Sequence, residues 1–296
     1  MKNQRKGQIL NFSYYWKYKV NGVAFFTILC HNGEDIFATA ELSAALLEGY
    51  FMEILYRWLI GDMGQQGDHA YQPIHLYSVA VVAAVVLLVT ALSITKKLTP
   101  HKKRTLLAGI CWFQLGFEVL WRLIYWLVKG SSLLCWWPIY PCNLGGIFIP
   151  IIALCNWKTG KKMFYLFGFV GGVLTFALPN GIYSSDVMVF PIIKSILQHT
   201  GLLLIPLIEL GSGTFRPSIR HMGWVIAGLL VHLANSEGID RLLGFEGDYM
   251  FFRSGMPFVI PGVPQYITLS VFALLVLCLL SLLCDWTSRR KAKTLS

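Results

Sequence analysis

The stretch VAVVAAVVLLVTAL at residues 79–92 holds no charge, no proline and no glycine, and its reading decides the fold class. A bilayer core about 30 Å thick takes roughly 20 apolar residues of helix. Extended to His75 on one side and Ile94 on the other, the run has that length. Lipid offers the backbone no hydrogen bonds, so a span is either a helix or a strand of a closed barrel. Barrel strands alternate apolar and polar residues. This run does not alternate, so the chain reads as an all-α membrane protein.

Working outward, six more candidate spans follow. The second covers about Leu106 to Val128 and carries Glu118 and Arg122. The third, about Leu134 to Trp157, contains the broken stretch WWPIYPCNLGG, and the fourth, Met163 to Leu178, is opened by Gly168, Gly171 and Gly172. Small residues at that spacing let helices approach closely. The fifth runs from near Val187 to Leu210 with Pro191, Lys194 and His199; the sixth covers Met222 to Ala234 with His232; the seventh, Tyr266 to Trp286, is almost purely aliphatic. Composition agrees: 55% of the 296 residues are hydrophobic, 14% are charged and the mean hydropathy is +0.58.

Loop charge gives the orientation. The loops after the first, third and fifth spans and the C-terminal tail together carry fourteen Lys and Arg, from Lys96 to Lys293. The alternate loops carry three, Lys129, Arg241 and Arg253, beside Asp186, Glu237, Asp240, Glu246 and Asp248. The positive-inside rule then predicts a polytopic bundle of about seven helices, N-terminus outside and C-terminus cytoplasmic, in the cell membrane. The same rule explains the formal charge of +10 without nucleic acid, and no nucleic-acid partner is expected.

Residues 1–68 read as an N-terminal extension to a membrane domain at 69–296. Leu42, Leu46, Leu47, Tyr50, Phe51, Ile54, Leu55, Trp58 and Leu59 repeat with helical spacing, as in an interfacial amphipathic helix. The alternative is a start placed too far upstream, with Met63 the true first residue. No cleaved signal peptide is expected. The seven cysteines (Cys30, Cys111, Cys135, Cys142, Cys155, Cys278, Cys284) include no C-x-x-C pair, so neither a zinc ribbon nor a disulfide scaffold is indicated.

Polar groups at membrane depth cost about 2.5–3.5 kcal/mol on insertion scales, so they mark cavities, partners or function. The orientation gathers them in the outer half: His75, Glu118, Arg122, Cys142, Asn143, Lys194, His199, His232 and Asn235. Several have structural readings. Glu118 and Arg122, spaced i, i+4, can neutralise each other; Lys194 can snorkel outward along its stem; His75 and His232 lie near hydrated ends. His199 differs, since the helical rise puts it roughly 13–18 Å from the outer end of its span. It is the leading functional candidate by depth. A metal site from His75, His199, His232 and an acid has no ligand spacing within one helix to support it, and no cofactor is expected.

At these residues the motifs QPIHL (72–76), PCNL (141–144), QHTGLLLIPL (198–207) and GDYMFF (247–252) resemble the landmarks of the bacterial YwaF-like integral membrane family. That family is similar to the animal TMEM-type ether-phospholipid acyltransferases. The resemblance runs from about Gln72 to Trp286 and leaves out residues 1–68. It implies a catalytic pair of Cys142 and His199, with phospholipid or lysophospholipid as substrate. More distant fatty-acid-ester hydrolases of similar architecture use a threonine with a histidine; here that position carries Cys142, so the threonine nucleophile does not transfer.

The chemistry implied is attack of a Cys142 thiolate on a lipid ester, with His199 taking the thiol proton. Asn143 or a backbone N–H near Pro141 would stabilise the oxyanion, Arg122 would meet a lipid phosphate, and Glu118 or Asp248 would orient a histidine. A transporter of ions or small molecules, or a non-enzymatic seven-helix subunit, remains the alternative. No internal repeat between the halves favours a transporter, and oligomeric state is not legible.

Overall fold

The computed structural model describes residues 36–95, 98–129, 136–179, 181–244, 249, 260, 262–263 and 265–293. As the absence of water in lipid requires, these residues satisfy their backbone groups in helices; no strand forms among them beyond one isolated antiparallel bridge, Gln66 with Ser185. The start of the third candidate span, Cys135, Asp248 and most of GDYMFF lie outside the described residues.

The chain divides into two compact units, Met1–Arg57 and Trp58–Ser296. Of the first unit, the described part belongs to helix α1 (Ile36–Ile60), which takes in the whole Leu42-to-Leu59 repeat; its Tyr50, Phe51 and Met52 are exposed. Of the stretch 1–68 expected as an extension, Trp58–Asp68 falls in the second unit. The reason is a set of hydrogen bonds to the segment before the fifth candidate span. Gly67 N–H donates to Ser184 O at 3.1 Å, His69 N–H to Tyr183 O at 2.9 Å, and Trp58 Nε1 to Met188 O at 2.9 Å. Gly64 (φ +71°) is pressed so closely on Asp186 and Ser185 that no side chain would fit there.

The second unit contains α2 (Pro73–Ile94), α3 (Pro100–Lys129), α4 (Pro141–Leu154), α5 (Lys158–Ala177), α6 (Phe190–Ser212), α7 (Met222–Leu233), α8 (Ile239–Leu243) and α9 (Gln265–Lys293). Four of them, α2, α3, α4 and α6, begin at or one residue before a proline, whose missing N–H costs nothing in the first turn. A π-helical turn, Ala234–Gly238, joins α7 to α8 without a break, so the sixth candidate runs on past its expected end at Ala234.

Among the described residues, three helices are long and apolar enough to cross a membrane: α2, α3 (to Val128) and α6. Shorter apolar helices cover Pro141–Leu154 and Ser270–Trp286. The third candidate is interrupted: Trp136 is helical, residues 137–140 are not, and α4 begins at Pro141 after the extended Tyr140, because the residue before a proline disfavours helix.

Helix α6 is the hub. It packs against α2, α3, α4 and α5, and it is mostly buried where α2 and α3 are mostly exposed. That burial explains its composition: polar side chains on α6 find protein partners, whereas Leu76, Tyr77, Val81, Leu87 and Leu88 of α2 are exposed apolar residues. Helix α3 runs antiparallel to α6, with Glu118 level with Lys194 and Gln114 against Gly201. Helix α4 runs parallel to it, with Asn143 level with Lys194 and Gly145 against Leu202. Helix α5 is antiparallel again, Gly172 meeting the backbone at His199 and Lys161 meeting Glu209. One end of this bundle is therefore built from the starts of α4 and α6 and the last turns of α3 and α5.

Candidate functional site

At that end, Tyr140 is the extended N-cap of α4 (φ −70°, ψ 142°) and Pro141 its first residue. Cys142 and Asn143 follow in the first turn. The first backbone hydrogen bond that closes the turn is Leu144 N–H to Tyr140 O at 3.0 Å, so the N–H groups of Cys142 and Asn143 have no acceptor within the helix. Cys142 is a free, partly buried thiol packed on the edge of a core that includes Leu144, Ile149 and Leu202.

Beside it lies a buried polar network. Arg122 NH1 donates to Glu118 Oε2 at 2.5 Å, which makes the i, i+4 pair a closed ion pair, and Arg122 Nε reaches Trp136 O at 3.2 Å. Lys194 does not snorkel outward. It turns into the bundle, 3.6 Å from Glu118 Oε1, and donates to Asn143 Oδ1 at 2.7 Å and Gln198 Oε1 at 2.6 Å; its ammonium lies 5.8 Å from the Trp121 ring centroid. The reason is the hub position of α6: a lysine there has three acceptors within reach, which offset its desolvation. Gln198 Nε2 completes the network, donating to the Cys142 backbone carbonyl at 2.7 Å and to Asn143 Oδ1 at 3.0 Å. Gly146 makes room, since a Cβ there would lie 2.7 Å from Gln198 Nε2 and 3.0 Å from Glu118 Oε1.

His199 is the next residue along α6, but its ring points elsewhere. One step of 100° turns it from α4 towards α5, where it lies edge-on to Phe176 at 6.4 Å between centroids. Its Nδ1 is 2.7 Å from Ser195 O. A carbonyl only accepts, so Nδ1 carries the proton and the Nε2 lone pair stays available. Cys142 and His199 thus come from adjacent helices at one end of the bundle, with Gln198 between them, and no hydrogen bond joins them among the described residues.

The other histidines stand apart. His75 accepts Tyr71 N–H at Nδ1 (2.9 Å) and so donates from Nε2 to Phe176 O (2.9 Å), tying the start of α2 to the end of α5. Both ring nitrogens are occupied in that role. His232 is buried between the rings of Phe164 and Phe167, at 5.4 and 5.6 Å, with Nδ1 unpartnered. Asn235, in the π-turn, donates to Pro138 O at 2.8 Å and accepts from Trp137 Nε1 at 3.0 Å, so it holds the segment leading into Cys142. Among the described residues no group of three His, Cys, Asp or Glu converges as metal ligands.

Sequence reading missed Gln198 and Ser195. Gln198 carried a signal, a second polar residue beside His199 in an apolar run; Ser195 carried none, because it acts through its backbone carbonyl. The ion pair of Lys161 with Glu209 was also missed, since Lys161 read as a free loop charge.

Against known proteins, residues 70–282 match the model of the TMEM164 family. No curated protein and no solved structure matches.

Proposed function

The chain belongs to the TMEM164 family, and we propose that it is a membrane-embedded enzyme that moves or releases phospholipid acyl chains through Cys142. The YwaF-like motifs and their likeness to the animal ether-phospholipid acyltransferases point the same way. The observation that carries the reading is the position of Cys142: a thiol in the first turn of a helix, beside two N–H groups without helical acceptors and next to the buried cation Lys194. N–H groups in the first turn of a helix, without helical acceptors, favour an oxyanion.

In this reading the seven spans are α2 to α6, the α7–α8 run and α9, alternating in direction. The C-terminus is cytoplasmic by loop charge, and the site opens toward the outer leaflet. The thiol proton passes to His199 Nε2 through a water or hydroxyl that bridges the two side chains. Sγ then adds to the ester carbonyl, the acyl C–O bond breaks, and the lysolipid alkoxide leaves with the proton held by His199. A second lysolipid hydroxyl, or water, gives His199 its proton and attacks the thioester; the C–S bond breaks and Cys142 is regenerated. The first acceptor gives transfer and the second hydrolysis.

The test is to incubate the purified protein with acyl-labelled phospholipid and look for hydroxylamine-sensitive label on Cys142. Equal movement or release of acyl chains by wild type and Cys142→Ser would sink the mechanism. A protein that carries a solute across vesicles while leaving every ester intact would instead be a transporter.

A further inference from the structure

The hydrogen-bond network around Cys142 settles which way two amides face. The Cys142 carbonyl has no hydrogen, so the Gln198 atom 2.7 Å from it is the NH2 group. The same NH2 lies 3.0 Å from the Asn143 side chain, so the Asn143 atom facing it is the carbonyl oxygen. Lys194, a pure donor, reaches that oxygen at 2.7 Å and the Gln198 oxygen at 2.6 Å, in agreement at both positions. Asn143 Oδ1 therefore takes two donors from inside the bundle, and its Nδ2 hydrogens find no partner among the described residues. Gln198 is 1% exposed and Lys194 6%, so the clamp is shielded from competing water.

We infer that Lys194 and Gln198 are positioning residues that lock the Asn143 carboxamide, and that Asn143 Nδ2 is the hydrogen-bond donor this site offers to the carbonyl oxygen of a lipid ester. The inference rests on the reading of Cys142 as the site of acyl chemistry only for its catalytic consequence; carbonyl binding does not need the thiol. Cys142 and Asn143 both sit in the first turn of α4, whose N–H groups have no acceptor within the helix. When Sγ adds to the carbonyl carbon, the oxygen gains a full negative charge, and a donor fixed beforehand stabilises it without reorganising. An unclamped asparagine would present oxygen as readily as nitrogen. The clamp removes that choice.

The experiment separates the two readings. Cys142→Ala protein, which cannot be acylated, is placed in diether-lipid nanodiscs with phosphatidylcholine 13C-labelled at its ester carbonyls. A fraction of the labelled infrared carbonyl band moves to lower frequency. The shifted band disappears in Cys142→Ala/Asn143→Asp, where the carboxylate keeps both inward acceptor contacts but offers no donor. It weakens in Cys142→Ala/Gln198→Leu, where the amide is free to turn. Absence of the shifted band in Cys142→Ala, or its persistence in the Asn143→Asp double variant, overturns the inference. In the thiol-containing protein, Asn143→Asp lowers acyl-enzyme formation on the order of 10²-fold, while alkylation of Cys142 by iodoacetamide, which displaces iodide and builds no oxyanion, falls far less. A shifted band without any acyl-enzyme would leave the donor assignment standing and defeat the acyl-transfer reading.

Discussion

Lys161 on α5 and Glu209 on α6 form an ion pair at 2.5 Å with both side chains 3% exposed, at the far end of the bundle from Cys142. Asn156 accepts a second hydrogen bond from Lys161 at 2.7 Å, and Thr214 donates to the same carboxylate at 2.9 Å. Removing one partner strands a buried charge, which costs about 3–5 kcal/mol, whereas replacing both with apolar residues of similar volume is close to neutral. Lys161→Met should therefore unfold at markedly lower temperature in detergent, and Lys161→Met/Glu209→Leu should recover most of the loss. Two equally unstable proteins would mean the pair is not what holds α5 to α6.

His199 is bonded to Ser195 O and not to the Cys142 thiol. A proton that leaves the thiol through one bridging hydroxyl still ends on His199, so alkylation of Cys142 should fall in His199→Ala along with transfer to an acceptor hydroxyl, the latter on the order of 10²-fold, the usual contribution of one general base. Unchanged alkylation beside a loss of transfer would show that the histidine is not the base of the thiol.

The loop at Gly61–Gln72 should tighten in acid. His69 places Nδ1 2.8 Å from Gln72 Oε1 and Nε2 2.8 Å from Gln65 O, two acceptors that only the doubly protonated ring satisfies. The Gln72 contact, with further help from the Gln65 carbonyl, Asp186 and Asp68, holds the His69 pKa above its ordinary value despite partial desolvation. Since the folded value is raised, the stabilisation is complete below about pH 6.5 and fades as pH rises through the higher folded pKa. Amide exchange at Gly67 and His69, whose N–H groups pair with Ser184 and Tyr183, should be slower at pH 5.5 than at pH 8 after correction for intrinsic rates. In His69→Phe that difference should vanish; its survival would assign the effect to another group.

Gly228 of α7 faces the Met163 backbone, with the carbonyl carbon 2.9 Å from where a Cβ would stand and the oxygen nearer still, and a backbone cannot turn aside. Gly228→Ala should cost about 1–3 kcal/mol or more by forcing α5 and α7 apart. Gly223, exposed on the same helix with nothing within 4 Å, supplies the control. Gly223→Ala should be neutral or stabilising by up to about 1 kcal/mol, and similar melting curves for the two variants would contradict the packing described.

By itself the sequence determined what depends on neighbours along the chain. The apolar run at 79–92 specified α2, because no alternative satisfies a backbone in lipid; Pro138 and Pro141 specified that Cys142 opens a helix, because proline restricts the residue before it and suits the first turn. Helical periodicity likewise fixed that Lys194 and Gln198 share a face of α6 and that His199 does not. What it left open is rotation. Spacing gives the angle between two side chains on one helix, but not which neighbouring helix either side chain meets. Only packing decided that the Lys194–Gln198 face of α6 turns to α4, drawing Glu118, Asn143 and the Cys142 carbonyl into one buried network, while His199 turns to α5. The same packing put Lys161 against Glu209, a pairing 48 residues apart that no local rule connects.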